Sequence, residues 1–417
     1  MTPAASDVLI AGAGPAGTHL ALRLARAGWS VTLIDRRRFP RPKPCGEFMS
    51  PECLPLLEDL GLRADVLALG ARRIGGMRIH GYGHATRGRY ARVGRTVARF
   101  DHGYAVRREA LDELCLRHAE RAQGVELLEG WALDELLRDA RGRVAGARLR
   151  DPAGAPRELR AAFTVGADGI QSRVARRLGV ARVYPWLKRY ALVARFAAPA
   201  DELAEVHLFP GGYFAASPID GGAFTVNLVV GADWLSGGGG PGLERDFRRA
   251  LAQAPVLAAR LHGAPLLEPI RACGPLAAYT ARQVFDGAAL VGDACGFVDP
   301  LTGEGLFFAM RGAELLANAL DGALHARRAD AQSLAGYARA RRRELGPRYA
   351  GARLLQRALR HPRLTARGLA LLERRPGLAD LAVALTGDYV PLRELGRPGV
   401  WREALARPGC DRPSSGR

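Results

Sequence analysis

Lysine is almost missing from this chain: of 61 lysines and arginines only Lys43 and Lys188 are lysine, so arginine carries nearly all the charge behind a formal net +19. A basic surface attracts nucleic acid, anionic membrane and acidic ligands alike, so charge alone names no partner. Arginine dominance also follows from a GC-rich genome, and no RNA-binding or helix-turn-helix signature is present, which sets a nucleic-acid role aside. No uninterrupted apolar run reaches the ~18 residues that span a bilayer. No charged, apolar and cleavage-site regions precede the first strand at Asp7 to Ala11. The chain is expected to be soluble, not exported and bacterial cytoplasmic. The six cysteines, Cys45, Cys53, Cys115, Cys273, Cys295 and Cys410, lack metal-ligand spacing. Reduced thiols and no metal are expected.

What is present begins with size. At 417 residues and 48% hydrophobic content the chain buries a large core, with ~2–3 domains as the prior. "DVLIAGAGPAGTHLALRLARAGWSVTLIDRR" reads as strand, glycine turn, helix and second strand, the last ending at Asp35. Gly12 serves the tight turn, Gly14 the close approach of backbone to a pyrophosphate, and Gly17 the packing of helix on strand. Pro15 and Ala16 open the helix, whose free N–H groups and dipole favour phosphate. Asp35 stands 23 residues after Gly12, where a carboxylate meets the ribose of an adenosine, with Arg36 beside it. The spacing therefore predicts dinucleotide binding. After Asp35 the chain leaves for a proline-rich loop, "RRRFPRPKPCGEFMSPE", where a simple NAD dehydrogenase would continue with strand–helix units. That excursion argues for FAD over NAD.

Residues 71–104 are glycine-rich and β-like, and a helix follows with Arg107 at its start. A three-strand ribbon is expected across 131–162, then a buried strand into "GADGIQSR" with Asp168 and Ser172. Strand and hairpin return over 189–232, "SGGGGPG" at 236–242 reads as a flexible connector, and a helix over 243–261 precedes a strand through 266–278. "VGDACGFVDPLTGEG" then carries Gly292 and Asp293 off a strand tip and opens a helix at Leu306. Everything beyond is helical, with "RPGLADLAVALTGDYVPLREL" read as a closing helix and lid.

Three separated signatures, the amino-terminal G-x-G-x-x-G, Gly-Ala-Asp-Gly with Ser172, and Gly-Asp with Pro-Leu-Thr-Gly-Glu-Gly, resemble the FAD-dependent oxidoreductases of the para-hydroxybenzoate hydroxylase fold. "RPKPCGEFMSPE" and "GFVDPLTGEG" look most like the branch that holds geranylgeranyl reductases and the flavin hydroxylases of natural-product (secondary) metabolism. The implied fold is α/β: a Rossmann-like FAD-binding domain (1–70, 105–180 and 279–330) split by a second, mostly antiparallel β-sheet substrate domain (71–104 and 181–278). A helical carboxy-terminal segment with a disordered tail completes it (331–417). The resemblance places Asp293 on the ribityl chain, Pro300, Gly303, Gly305 and Leu306 beside the isoalloxazine, Arg107 on FAD, and Asp168 near the pyrophosphate and NAD(P)H. Cys45 and Gly46 line the active site in the family's reductases, though Cys45 is also readable as a small buried thiol. Cys45, Pro300 and Gly303 are the candidate catalytic positions on the flavin face. Glu47 is read as an exposed loop acid rather than a proton donor.

Two reactions fit this frame. A hydroxylase transfers oxygen from a flavin C4a-hydroperoxide to an electron-rich ring; an ene-reductase of the geranylgeranyl type gives hydride and a proton to an isoprenoid double bond. "GGYFAASPIDGGAFTVNLVV" departs from the aromatic-rich substrate motif of the reductases. That tilts the reading to a monooxygenase of a hydrophobic phenolic or polyketide-like molecule. The Trp-x-Trp-x-Ile-Pro motif of flavin halogenases is absent, and no lysine is expected in a tunnel. A non-catalytic flavin-binding protein is the remote alternative. With no second G-x-G-x-x-G, reduction falls to transiently bound NAD(P)H or a partner flavoprotein. His80, His84 and His207 are expected at the surface or in the core, so no general base is named. The basic amphipathic stretch from 337 onward can pack on the core or lie on an anionic membrane, which would place the protein at the inner membrane face.

Overall fold

The computed structural model describes residues 6–406 except 91, 94, 95 and 238. Its larger sheet runs Val284–Phe285, Ala288–Leu290, Pro156–Gly166, Ser6–Ala11, Val31–Asp35, Val125–Glu129. Every neighbouring pair in that row is parallel except the first. Parallel strands of this kind are apolar on both faces because both are covered. Helices Pro15–Arg26, Arg108–Arg121 and Gly305–His325 cover one face through Leu20, Leu24, Leu116, Met310 and Leu316. An antiparallel ribbon, Ala132–Arg138 and Val144–Arg150, joins the outer half of Pro156–Gly166 and covers the other through Leu133, Leu149 and Leu159.

The second sheet runs Arg271–Cys273, Arg189–Ala197, Ala223–Gly231, Gly212–Pro218, Leu203–Phe209, Gly76–Gly81, His84–Arg89. It is antiparallel except where Leu203–Phe209 lies along Gly76–Gly81. Side chains alternate between its faces with period two. Leu192, Phe214, Phe224 and Leu228 pack under the helices Gly239–Leu251 and Pro255–Arg260 through Phe247 and Leu257, while Ala191, Val193, Ala215 and Val229 point into the cavity described below. The expected α/β architecture with a second, mostly antiparallel sheet is what forms.

Three local expectations are corrected. The helix over 243–261 is two helices, because Pro255 cannot continue the first and opens the second. The strand through 266–278 is broken: Arg271–Cys273 is bounded by Pro269 and Pro275, and a separate strand, Ala278–Thr280, starts at its end. Part of the expected glycine connector, from Gly239, is the first helical turn. The segment beyond 330 is helical, but the stretch read as a closing helix and lid is a core wall: in Pro376–Thr386, Leu378, Ala379, Leu381, Val383 and Ala384 are all buried. It lies so close to strand His84–Arg89 that a Cβ on Gly88 would sit 2.3 Å from the Ala379 carbonyl. A helix that is apolar nearly all round belongs inside. The tail expected to be disordered, 407–417 with Cys410, lies outside the described residues.

Candidate active site

A cavity of 1120 Å³, its open mouth included, separates the two sheets. Its nucleotide end is built by the glycine turn. Gly12 takes φ +106°, and a Cβ there would lie 2.4 Å from the Ala167 carbonyl; a Cβ on Gly17 would lie 1.8 Å from the Gly12 carbonyl. The turn can close only on glycine at both places. Gly14 is different: nothing comes nearer its missing side chain than Arg41 Nη2 at 3.6 Å, and Gly14, Pro15 and Ala16 line the cavity. Asp35 braces this turn, accepting the Ala13 N–H at 3.0 Å and facing Arg41 at 3.8 Å. Arg36 is exposed beside it.

The other end is built after strand Ala288–Leu290. Gly292 turns the chain at φ +62°, where a Cβ would meet that of Ala16 at 2.8 Å. Asp293 follows, half-buried on the cavity wall. Its carboxylate accepts no hydrogen bond from the described residues, and burial raises its pKa against the opposing pull of Lys43 and Arg108. Asp299 caps the next turn by accepting the Leu301 N–H at 3.0 Å and the Tyr213 hydroxyl; its buried carboxyl is pushed up to about 6. Gly303, at φ +72°, lets the turn sit against Phe48, and Pro300, Gly303, Gly305 and Leu306 all line the cavity. The start of the 21-residue helix Gly305–His325 therefore faces it, with positive dipole end inward.

These residues fit FAD. A helix start without a side chain at Gly14 suits the pyrophosphate, an unsatisfied carboxylate at Asp293 suits hydroxyls of the ribityl chain, and a second helix start suits an anionic ring edge.

Two expected positions fall elsewhere. Arg107 is not on the cavity; it is paired with Asp220 at 2.9 Å. The cavity wall is Arg108, buried, doubly bonded to Asp112 at 2.9 and 3.0 Å and donating to Cys45 Sγ at 3.3 Å. Asp168 lies between two lining residues, Ala167 and Gly169, yet its carboxylate accepts the N–H groups of Arg173 and Val174 at the start of helix Arg173–Arg177, which Ser172 also caps.

The floor comes from the proline-rich loop: Lys43, Pro44, Cys45, Gly46, Glu47 and Phe48 all line the cavity. A lysine is thus present where none was expected. Glu47, read from sequence as an exposed loop acid, is 0% exposed. Its backbone is left-handed at φ 60°, held because its carbonyl accepts the Val106 N–H at 3.1 Å and its own N–H reaches Cys45 Sγ at 3.4 Å. Oε1 takes Arg195 Nη2 and the Arg108 N–H, while Oε2 is buried with no partner among the described residues. Burial, partly offset by Arg195, pushes the carboxyl up to about 7.

The opposite wall is apolar, with Ala191, Val193, Ala215, Val229, Leu276 and Phe297, and carries Asn227 and Cys273 as its polar members. Asn227 donates to the Ala215 carbonyl at 3.3 Å. Among the described residues no histidine lines the cavity; His80 and His207 stack at 4.7 Å. Sequence reasoning passed over Arg41, Arg108 and Asn227. Arg108 alone carried a signal, an aspartate four residues on.

A family model described as an FAD binding domain matches residues 5–346. Conditioned medium factor receptor 1 of Dictyostelium discoideum is 29% identical over 418 residues, covering 91% of this chain and 76% of that one. Digeranylgeranylglycerophospholipid reductase 2 of Methanopyrus kandleri is 31% identical over 319 residues, covering 72% and 73%. Among solved structures, the flavin-dependent halogenase CmlS superposes with a TM-score of 0.74 at 26% identity, covering 81% of this chain and 62% of that one. PqsL, a probable FAD-dependent monooxygenase from Pseudomonas aeruginosa, does so with 0.66 at 26% identity, covering 87% and 99%.

Proposed function

Since the chain belongs to the FAD-dependent oxidoreductases of the para-hydroxybenzoate hydroxylase fold, we propose that it is a monooxygenase that hydroxylates a hydrophobic molecule carrying a phenolic ring. The observation that carries this reading is Asn227. It is buried opposite the flavin-side loop in a wall that is apolar apart from it and Cys273, and among the described residues only one of its amide protons is engaged. A buried amide with unused capacity costs free energy unless a ligand satisfies it. A ring hydroxyl satisfies it; the reacting carbons of an isoprenoid chain do not. Bound FAD supplies the two-electron chemistry that activates oxygen. In the overall reaction one atom of O2 becomes the product hydroxyl and the other leaves as water, while NAD(P)H and a proton are consumed and NAD(P)+ is released.

The chain's own residues supply the rest. The glycine turn and Asp293 hold the cofactor, the helix start at Gly305 favours negative charge beside it, and the apolar sheet wall excludes water. The second reading, saturation of an isoprenoid double bond by hydride and a proton, is favoured by the Cys45-Gly46-Glu47 floor and by the similarity to the Methanopyrus reductase.

A lipid-tailed substrate would arrive from a membrane. Helix Pro362–Arg374 supports this: Leu364 and Leu371 are exposed together with Arg363, Arg367 and Arg374, and its only acid, Glu373, is paired with His84. An anionic lipid surface complements that face in both charge and polarity.

Isotopic labelling tests the reaction. With 5-pentadecylresorcinol as probe, oxygen-18 from labelled O2 is expected in the product. Deuterium passing from labelled NAD(P)H into a geranylgeranyl lipid, with no oxygen-18 in any product, would overturn the hydroxylase reading in favour of the reductase.

A further inference from the structure

Both chemistries need a proton inside a largely apolar cavity, and the described residues offer few groups able to carry one. Of the ionisable residues on its wall, Lys43 and Arg108 are cations, Asp293 is placed for the ribityl hydroxyls, and Cys45 and Cys273 are thiols. Glu47 is the remaining carboxyl.

We propose that Glu47 is the residue that delivers a proton to the flavin-side cavity in turnover. This deepens the oxidoreductase reading of the same site, and it holds for either reaction. Geometry carries it. Glu47 is one of the residues that line the cavity; its side chain is fully buried, one oxygen is anchored and the other has no hydrogen-bond partner among the described residues. A buried oxygen left unsatisfied in this way costs free energy in the resting protein. The left-handed backbone, which costs free energy in a residue other than glycine, is held by the Val106 hydrogen bond to the Glu47 carbonyl.

The charged and polar groups that face Glu47 set its behaviour. From the second sheet comes Arg195, from helix Arg108–Arg121 come Arg108 and Glu109, and from its own loop Cys45. Arg195 also binds Glu109 at 2.8 Å and Glu268 at 2.7 Å, so its charge is shared among three carboxylates and is only partly available to hold Glu47 ionised. Arg108 is committed to Asp112. The carboxyl consequently exchanges its proton close to neutral pH, where an acid serves best. It gives the proton up in the cavity and regains one from solvent through the mouth, unchanged over the cycle. Arg195, which touches Glu47 and not the reacting atoms, is a positioning residue.

The test uses the FAD-loaded full chain without any organic substrate, so it does not depend on which reaction is right. Anionic reduced flavin, O2 and one proton give oxidised flavin and hydrogen peroxide, and the rate is followed by flavin absorbance after anaerobic reduction. In the wild type this rate is expected to bend near pH 7; in Glu47→Gln it is expected to be flat and roughly 100-fold lower on the acid side, with Glu47→Asp restoring the bend. Infrared difference spectra between about pH 5 and pH 9 should show a protonated carboxyl band that Glu47→Gln removes and Asp299→Asn does not. Unchanged bend and band in Glu47→Gln would overturn the proposal. A lost band with an unmoved rate profile would also overturn it, leaving Glu47 a structural acid. Failure of the oxygen-18 experiment alone leaves both readouts intact and moves the proton to a substrate carbon. Flavin content of each variant reports folding.

Discussion

Glu47 shows what a residue's letter conceals. Sequence supplies a carboxylate in a proline-rich loop, and the ordinary fate of such an acid is solvent. Here the loop folds under Val106, so the acid ends with no exposed surface. Arg107 and Arg108 show the same limit at finer grain. Arg107 precedes the helix and turns out to Asp220, whereas Arg108 is its first residue and pairs with Asp112 four positions on, a spacing that was visible. The Glu47 environment also bears on stability. An unfolded carboxyl titrates near 4.5 and the folded one at about 7, so between these values the unfolded chain has released a proton that the folded chain retains. Stability linked to Glu47 is thus fully present below about pH 4.5 and lost as pH rises through 7, by an amount on the order of 3 kcal/mol. Urea unfolding of wild type and Glu47→Gln across this range should give curves that diverge by that order, with the wild type losing ground; parallel curves would show the carboxyl ionised throughout.

Elements were legible where local chemistry decides them. The ribbon came through because "DARGR" and "DPAGAP" are turns whichever sheet they join, and the helix after Gly305 because its apolar spacing is continuous. The stretch 376–386 was legible as a helix, but not as a wall, since only tertiary packing tells a lid from a core. One link between elements was invisible in sequence. Arg348, on helix Gly346–Ala358, donates to Glu304 at 3.1 Å, to the carbonyls of Leu385 and Val390, and pairs with Asp388 at 3.1 Å. Glu304 immediately precedes the helix that faces the cavity, so the carboxy-terminal segment grips the flavin loop. Arg348→Met is expected to lower unfolding free energy by about 3 kcal/mol, because buried carboxylates and carbonyls lose their donor. It should also speed flavin release, read as rising flavin fluorescence. Unchanged release would confine Arg348 to stability.

At the scale of the molecule, the three signatures sufficed for the split nucleotide-binding fold because each glycine or aspartate there answers to backbone geometry that only a few side chains satisfy. The substrate wall was not legible: Ala191, Val193, Ala215 and Val229 are the small and β-branched residues of any strand, and only their register on one face makes them a wall. Surface charge has a consequence of its own. Vesicles with anionic lipid should retain the protein in sedimentation at low salt and release it as ionic strength rises. Leu364→Glu combined with Leu371→Glu should abolish retention with flavin content unchanged; equal binding to neutral vesicles, or none at all, would remove the membrane from the reading. The order of the larger sheet also governs when the protein becomes a flavoprotein. Strand Ser6–Ala11 has one parallel neighbour in Pro156–Gly166, which itself awaits Ala288–Leu290, and the carboxylate for the ribityl chain follows at Asp293. On the ribosome, therefore, the glycine turn emerges long before the rest of its binding site, and cofactor loading must wait until strand Ala288–Leu290 and Asp293 have followed it.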